Sequence, residues 1–154
     1  MNRQQIHVIA VVSSLISVAI VFASLFFPAL YLRAPNGASS EWPGGMLFFF
    51  GWVRILSMMW DGLGWLANVL LMLAVLDSVN RQYRSPVIFS AIGFALAMTS
   101  FLMKEVWLNE AGTKGVIVGY GAGFYLWMSA IALNLVTSTV VYALWLRAPD
   151  RNQR

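Results

Sequence analysis

The chain has 154 residues, of which 60% are apolar and only 10% charged, and its formal net charge is +4. Soluble globular domains run at roughly 45–50% apolar and about 25% charged, so too few charges are present to cover a water-facing surface. With no cysteine and a single histidine, His7, disulfide, thiolate-metal and dithiol redox chemistry are excluded. A His-based metal or haem site within one chain is disfavoured, and no cofactor is expected. No basic patch interleaves with stacking aromatics, so nucleic acid is not an expected partner; the positive charge reads as flanking a lipid bilayer.

Val8 to Leu32 carries no charge. Residues 8–32 at about 1.5 Å each reach roughly 37 Å, enough to cross a hydrocarbon core of about 30 Å. That is longer than the apolar region of a cleaved signal peptide, about 7–15 residues, so a retained first span is expected. Pro28 near its end leaves the Ser24 carbonyl without a helical partner and predicts a kink. Pro35, Asn36-Gly37, Ser39-Ser40 and Pro43-Gly44-Gly45 then read as a loop.

Met46 to Val79 is apolar for longer than one span but contains Arg54, Asp61 and Asn68. Split in two, it predicts a short interfacial or re-entrant helix over about 46–57, rich in Phe and Trp, and a second span over about 59–79. A polar connector at 80–86 ends in Ser85-Pro86, a helix N-cap followed by proline, and opens a third span to about 103. Glu105, Glu110, Gly112, Lys114 and Gly115 mark a second loop. A fourth span ends at Leu146, and a basic tail follows from Arg147.

The expected fold is therefore all-α: one transmembrane domain over 1–154, a polytopic four-transmembrane-helix bundle. Its spans lie at about 8–32, 59–79, 87–103 and 120–146, with outer loops at 33–58 and 104–119, an inner connector at 80–86 and a tail at 147–154. Arg3, Arg81, Arg84, Arg147, Arg151 and Arg154 fall on one side, and Arg33, Arg54, Lys104 and Lys114 on the other. This bias predicts a multi-pass protein with both termini cytoplasmic, and places Trp42, Trp52, Trp60, Trp65 and Trp107 as an outer aromatic belt. The segments Tyr31-Leu32-Arg33-Ala34-Pro35 and Trp145-Leu146-Arg147-Ala148-Pro149 echo one another; an interfacial aromatic, a snorkelling Arg and a stopping Pro explain both without an internal repeat.

Four polar positions are candidates for function. Arg54, Ser57, Asp61, Gly64 and Asn68 share one face if that stretch is helical. Charges in apolar segments seek partners or cavities, which makes Arg54 and Asp61 a natural pair at the outer surface. Asn68 and Asn134 lie deeper, where each amide needs a hydrogen-bond partner and serves by default to hold helices together. Gly115, Gly119 and Gly123 repeat at four-residue spacing, a small-xxx-small helix-packing surface or, with Gly121, a flexible loop leading into the span.

Trp65-Leu66-Ala67-Asn68, Lys104-Glu105, Glu110-Ala111-Gly112 and Gly119-Tyr120-Gly121-Ala122-Gly123-Phe124-Tyr125-Leu126-Trp127 resemble a group of small four-helix bacterial inner-membrane proteins with no assigned biochemical role. The resemblance covers about Gly51 to Leu146. It implies a bacterial inner membrane and four spans, and carries over no functional residues.

No nucleotide-binding loop, nucleophile elbow or paired-histidine motif occurs. The expected function is a non-enzymatic membrane protein acting through binding, as an accessory, regulatory or immunity-type subunit whose partners are the bilayer and a membrane or periplasmic protein. The alternative is a small transporter or channel, built as a homo-oligomer, using Arg54, Asp61 and the intramembrane asparagines.

Overall fold

The computed structural model describes the backbone at residues 1–56, 60–108 and 112–148, and the side chains of all these except 60 and 61. Helix α1 (Arg3–Ser24) starts on a reciprocal cap: the Asn2 side chain accepts from Gln5 N at 2.8 Å, and the Gln5 side chain accepts from Asn2 N at 3.0 Å. Two of the four orphan donors of the first turn are thereby satisfied. The helix ends before Pro28, and the chain enters strand β1 (Pro28–Arg33), then β2 (Ser39–Pro43) and two short helices, α2 (Gly44–Phe50) and α3 (Trp52–Leu56). A 3-10 turn, Trp60–Trp65, leads into α4 (Leu66–Val79). Helix α5 (Arg84–Met98) runs into a second 3-10 turn, Thr99–Leu102; β3 (Glu105–Trp107) and β4 (Lys114–Tyr120) precede α6 (Ala122–Arg147).

Among the described residues, four helical segments are long and apolar enough to cross a membrane: Arg3–Ser24, Gly62–Val79, Arg84–Leu102 and Ala122–Arg147. They close into a ring in which α1 packs on α6, α6 on α5, α5 on α4 and α4 on α1. The ring is inside-out relative to a soluble bundle. Ser14, Ser17, Ala67, Ala74, Ser90, Ala97, Ala130 and Asn134 are buried, while Leu15, Phe22, Met72, Ile92 and Val136 face outward. Water would penalise such a continuous apolar exterior; lipid does not, and small interior residues let the backbones approach closely. Three of the buried serines bond to their own helix: Ser17 to Ser13 O at 3.2 Å, Ser24 to Val21 O at 2.6 Å and Ser78 to Ala74 O at 2.9 Å.

The all-α expectation is corrected at one end of the bundle. Both segments read as outer loops contribute to one antiparallel sheet of order β2-β1-β4-β3. The first span is also shorter than 8–32, because its last residues belong to β1. Pro28 ends the helix instead of kinking it, and as the first residue of a strand it needs no ladder donor. Leu30 and Leu32 are fully buried and alternate with exposed Tyr31 and Arg33, the period of a half-buried strand. Asn36-Gly37 turns the chain, with Gly37 at φ +83° and Ala38 N donating to Asn36 Oδ1 at 3.1 Å. Leu30, Leu32, Met103 and Val106 form the core beneath the sheet, flanked by Trp42, Leu47 and Ile117.

Other boundaries also shift. The connector is only 80–83, and Ser85-Pro86 lies inside the first turn of α5, behind Tyr83 at the cap; a first-turn proline lacks only an N–H that has no helical acceptor. The echoed pattern at 31–35 is no repeat, since Tyr31-Leu32-Arg33 is strand and Trp145-Leu146-Arg147 is helix. At the end opposite the sheet, the Arg3 guanidinium lies 5.9 Å over the Trp145 ring, and Tyr83 packs 5.9 Å from the same ring. Burial raises the Tyr83 phenol above its usual range against the opposing pull of Arg81 and Arg3.

Candidate functional site

At the sheet end the spans do not meet flush. A cavity of about 80 Å³ remains among the ends of α1, α4, α5 and α6, covered by α2 and α3. The covering helices sit low because glycines face the bundle. Gly44 N donates to Phe27 O at 2.9 Å and Gly45 N to Leu25 O at 3.0 Å, and a Cβ at Gly51 would fall 2.7 Å from the Trp65 ring. Trp65 in turn donates its indole N–H to Phe48 O at 2.7 Å, so the 3-10 turn clamps α2 in place.

The walls are mostly apolar, with Leu47, Phe48, Phe124 and Trp127 prominent, and two of the sequence candidates enter them, Arg54 from α3 and Asn68 from the first turn of α4. The one-face helical series through Arg54, Ser57, Asp61, Gly64 and Asn68 does not form. Helix α3 stops at Leu56 and the next element is a 3-10 turn, so the chain folds back and a Cβ at Gly62 would lie 2.8 Å from Arg54 Cβ. Gly64 instead abuts the Ser100 side chain. Ser57 and the Asp61 side chain lie outside the described residues, as does any Arg54–Asp61 pairing.

Asn68 is held in one orientation. Trp127 Nε1, a donor only, binds Asn68 Oδ1 at 2.8 Å, which fixes the amide so that its oxygen meets Trp127 and its NH2 points elsewhere. Among the described residues that NH2 has no protein acceptor, and it is not sealed from solvent-sized space. Asn134 is separate: it is 1% exposed, donates Nδ2 to Ser90 Oγ at 2.8 Å, and its buried Oδ1 has no hydrogen-bond partner. It lies two helical turns beyond Trp127 on α6, roughly 10 Å away along the axis, and does not line the cavity.

The glycine series is divided as well. Gly115 and Gly119 belong to β4, the first beneath the Leu108 side chain and the second against Tyr31; β-branched Val116, Ile117 and Val118 between them favour a strand. Only Gly123 is helical, and it brings α6 against the carbonyls of Ser24 and Phe27. A close-packing glycine between helices that the spacing did not single out is Gly93, where α5 meets Leu70 and Ala67 of α4.

Sequence reasoning missed Trp127 and Trp65. Their signal was chemical: a tryptophan in an apolar wall needs an acceptor for its N–H, and Asn68 is the one amide near that depth. Glu105, on β3, pairs with Lys114 Nζ at 2.8 Å across the β3–β4 ladder, and both side chains are exposed. Burial, with a smaller contribution from Tyr125, raises the Tyr120 phenol above its usual range; its hydroxyl lies 3.4 Å from Ser100 O.

On its outer face the sheet presents Tyr31, Trp107, Val116 and Val118 among Arg33, Glu41, Glu105 and Lys114. The site thus has two parts, a small cavity whose polar groups include the donors of Arg54 and Asn68, and a sheet face of mixed charge around apolar side chains. Searches of family models, of curated proteins and of solved structures find no match to this chain.

Proposed function

We propose that the protein is a non-enzymatic integral membrane protein, of a bacterial inner membrane with both termini cytoplasmic, that acts through binding as an accessory, regulatory or immunity-type subunit. The observation that carries this reading is the cap. At the other end of the bundle, residues 80–83 suffice to join two spans, as short helix–helix connections usually do. At the outer end residues 25–61 and 103–121 join the spans, and within them residues 28–33, 39–43, 105–107 and 114–120 form a four-stranded sheet with its own core. Ordering that much backbone costs on the order of 1–2 kcal/mol per residue and is unnecessary for connection, which supports a role in presenting a surface. Apolar side chains within a mixed-charge rim suit a protein partner.

Photo-crosslinking in native membranes tests this. A photoreactive residue at Val118 is expected to give one discrete protein adduct that the same residue at Val140, exposed on α6, does not give. The partner should return in stoichiometric amount with the unmodified chain and be lost with Val118→Glu. Recovery of no partner, or an interaction indifferent to Val118→Glu, would overturn the reading. The transport alternative asks for a polar pathway through Arg54, Asp61, Asn68 and Asn134; the burial of Asn134 against Ser90, away from the cavity, lends it no support.

A further inference from the structure

We propose that the cavity beneath α2 and α3 binds the carboxylate end of a long-chain fatty acid, with the head at Arg54 and Asn68 and the first carbons against Phe48 and Phe124. This site is distinct from the sheet face and does not depend on a protein partner.

Three observations meet here. The first is polarity. The Asn68 NH2 is held facing away from Trp127 and has no protein acceptor among the described residues, and Arg54 is one of the residues that line the cavity. Arg54 engages other groups of the chain, but its five N–H donors can serve more than one partner. A ligand that engages both must present acceptors, and one bearing negative charge gains most from a guanidinium.

The second is size. A volume of about 80 Å³, where roughly 10–15 Å³ suffices for one water, holds a carboxylate and the beginning of a chain. The third is position and lining. The cavity lies at the outer ends of all four membrane-crossing helices, the depth at which a single-chain amphiphile carries its head. Its Leu, Phe and Trp walls offer water few partners but suit methylenes.

The purified protein, in nanodiscs of zwitterionic lipid at about pH 8 where a carboxylate is ionised, would be titrated with oleate while its melting temperature is followed. Oleate is expected to raise the melting temperature saturably, whereas oleyl alcohol, with the same chain and no charge, and acetate, with the same head and no chain, leave it unchanged. Arg54→Gln should weaken oleate binding at least tenfold. If that variant fails to fold, Asn68→Asp provides the test: it keeps an oxygen for Trp127 Nε1 but replaces the donor with a negative charge, and the same tenfold loss is expected. Arg84→Gln, at the far end of the bundle, should bind as the parent does. Equal stabilisation by oleyl alcohol, saturation by acetate alone, or unaltered oleate binding by Asn68→Asp would each overturn the assignment. None of these outcomes bears on the crosslink at Val118.

Discussion

The indole N–H of Trp127 donates to Asn68 Oδ1 at 2.8 Å, joining α6 to α4 in the wall of the cavity at the sheet end. Interhelical hydrogen bonds in lipid average about 0.6 kcal/mol and reach about 1.7. Because this one also fixes the amide, a value in the upper part of that range is expected. A double-mutant cycle with Trp127→Phe and Asn68→Leu, read by reversible unfolding in bicelles, should give a coupling of about 1 kcal/mol. A coupling of zero would show that the two side chains are merely adjacent.

Asn134 presents the opposite balance. Its NH2 is bonded to Ser90 Oγ, but its Oδ1 is buried with no hydrogen-bond partner. Removing one partner of a buried pair costs the desolvation of the group left behind, about 1–3 kcal/mol, whereas replacing both by apolar groups can be nearly neutral. Ser90→Ala alone should therefore lower the melting temperature, and Asn134→Leu added to it should restore most of the loss. A double variant no better than Ser90→Ala would refute this account.

Gly119 and Gly123 occur four residues apart and look alike in sequence, yet their surroundings predict opposite tolerances. A Cβ at Gly123 would stand 2.5 Å from Phe27 O and 2.8 Å from Ser24 O, both backbone atoms, while at Gly119 its nearest neighbour is Tyr31 Cδ2 at 3.6 Å. Gly123→Ala should destabilise by about 1–3 kcal/mol, the usual cost of overpacking. Gly119→Ala should stay within about 0.5 kcal/mol of the parent. Thermal melting of the two variants in detergent checks the contrast.

The bundle was legible because a span announces itself through length and apolarity, and the fourth helix begins and ends within two residues of its expected bounds. The sheet was not, because its strands are short and two of them were absorbed into neighbouring signals. Ala29 to Leu32 continued an uncharged run and so extended the first helix, although Pro28 before it and Asn36-Gly37 after it mark a strand and a hairpin turn. Val116-Ile117-Val118 falls within the expected loop at 104–119, directly before the fourth span. At the site, Arg54 and Asn68 were found as polar residues in apolar surroundings, but their convergence depends on α3 folding back against Gly62, which periodicity along a single helix cannot express.

Tyr120 sets an alkaline limit. Burial raises its phenol in the folded state, so between its unfolded value, about 10, and its higher folded value the folded chain holds a proton that the unfolded chain has lost. The stabilisation is complete below about pH 10 and is lost as pH rises through the folded value. Tyr120→Phe removes the titrating group, so its melting temperature should fall less steeply than the parent's above about pH 10. Identical slopes would exclude Tyr120 as the source.

The orientation of the molecule follows from how charge is divided between its two ends. Among the described residues Arg3, Arg81, Arg84 and Arg147 gather at the end opposite the sheet, with Asp77 alone against them. At the sheet end Glu41 and Glu105 offset part of Arg33, Arg54, Lys104 and Lys114. Excess Lys and Arg near span ends keep a segment on the cytoplasmic side, so the sheet should face outward. The chain has no cysteine, which gives single-cysteine labelling a clean background. Ser40→Cys, on the exposed edge strand β2, should react with a membrane-impermeant maleimide in intact cells. Gln82→Cys, in the short connector, should react only after the membrane is opened. Labelling of Gln82→Cys but not Ser40→Cys in intact cells would invert the topology, and would place the sheet and its cavity on the cytoplasmic side.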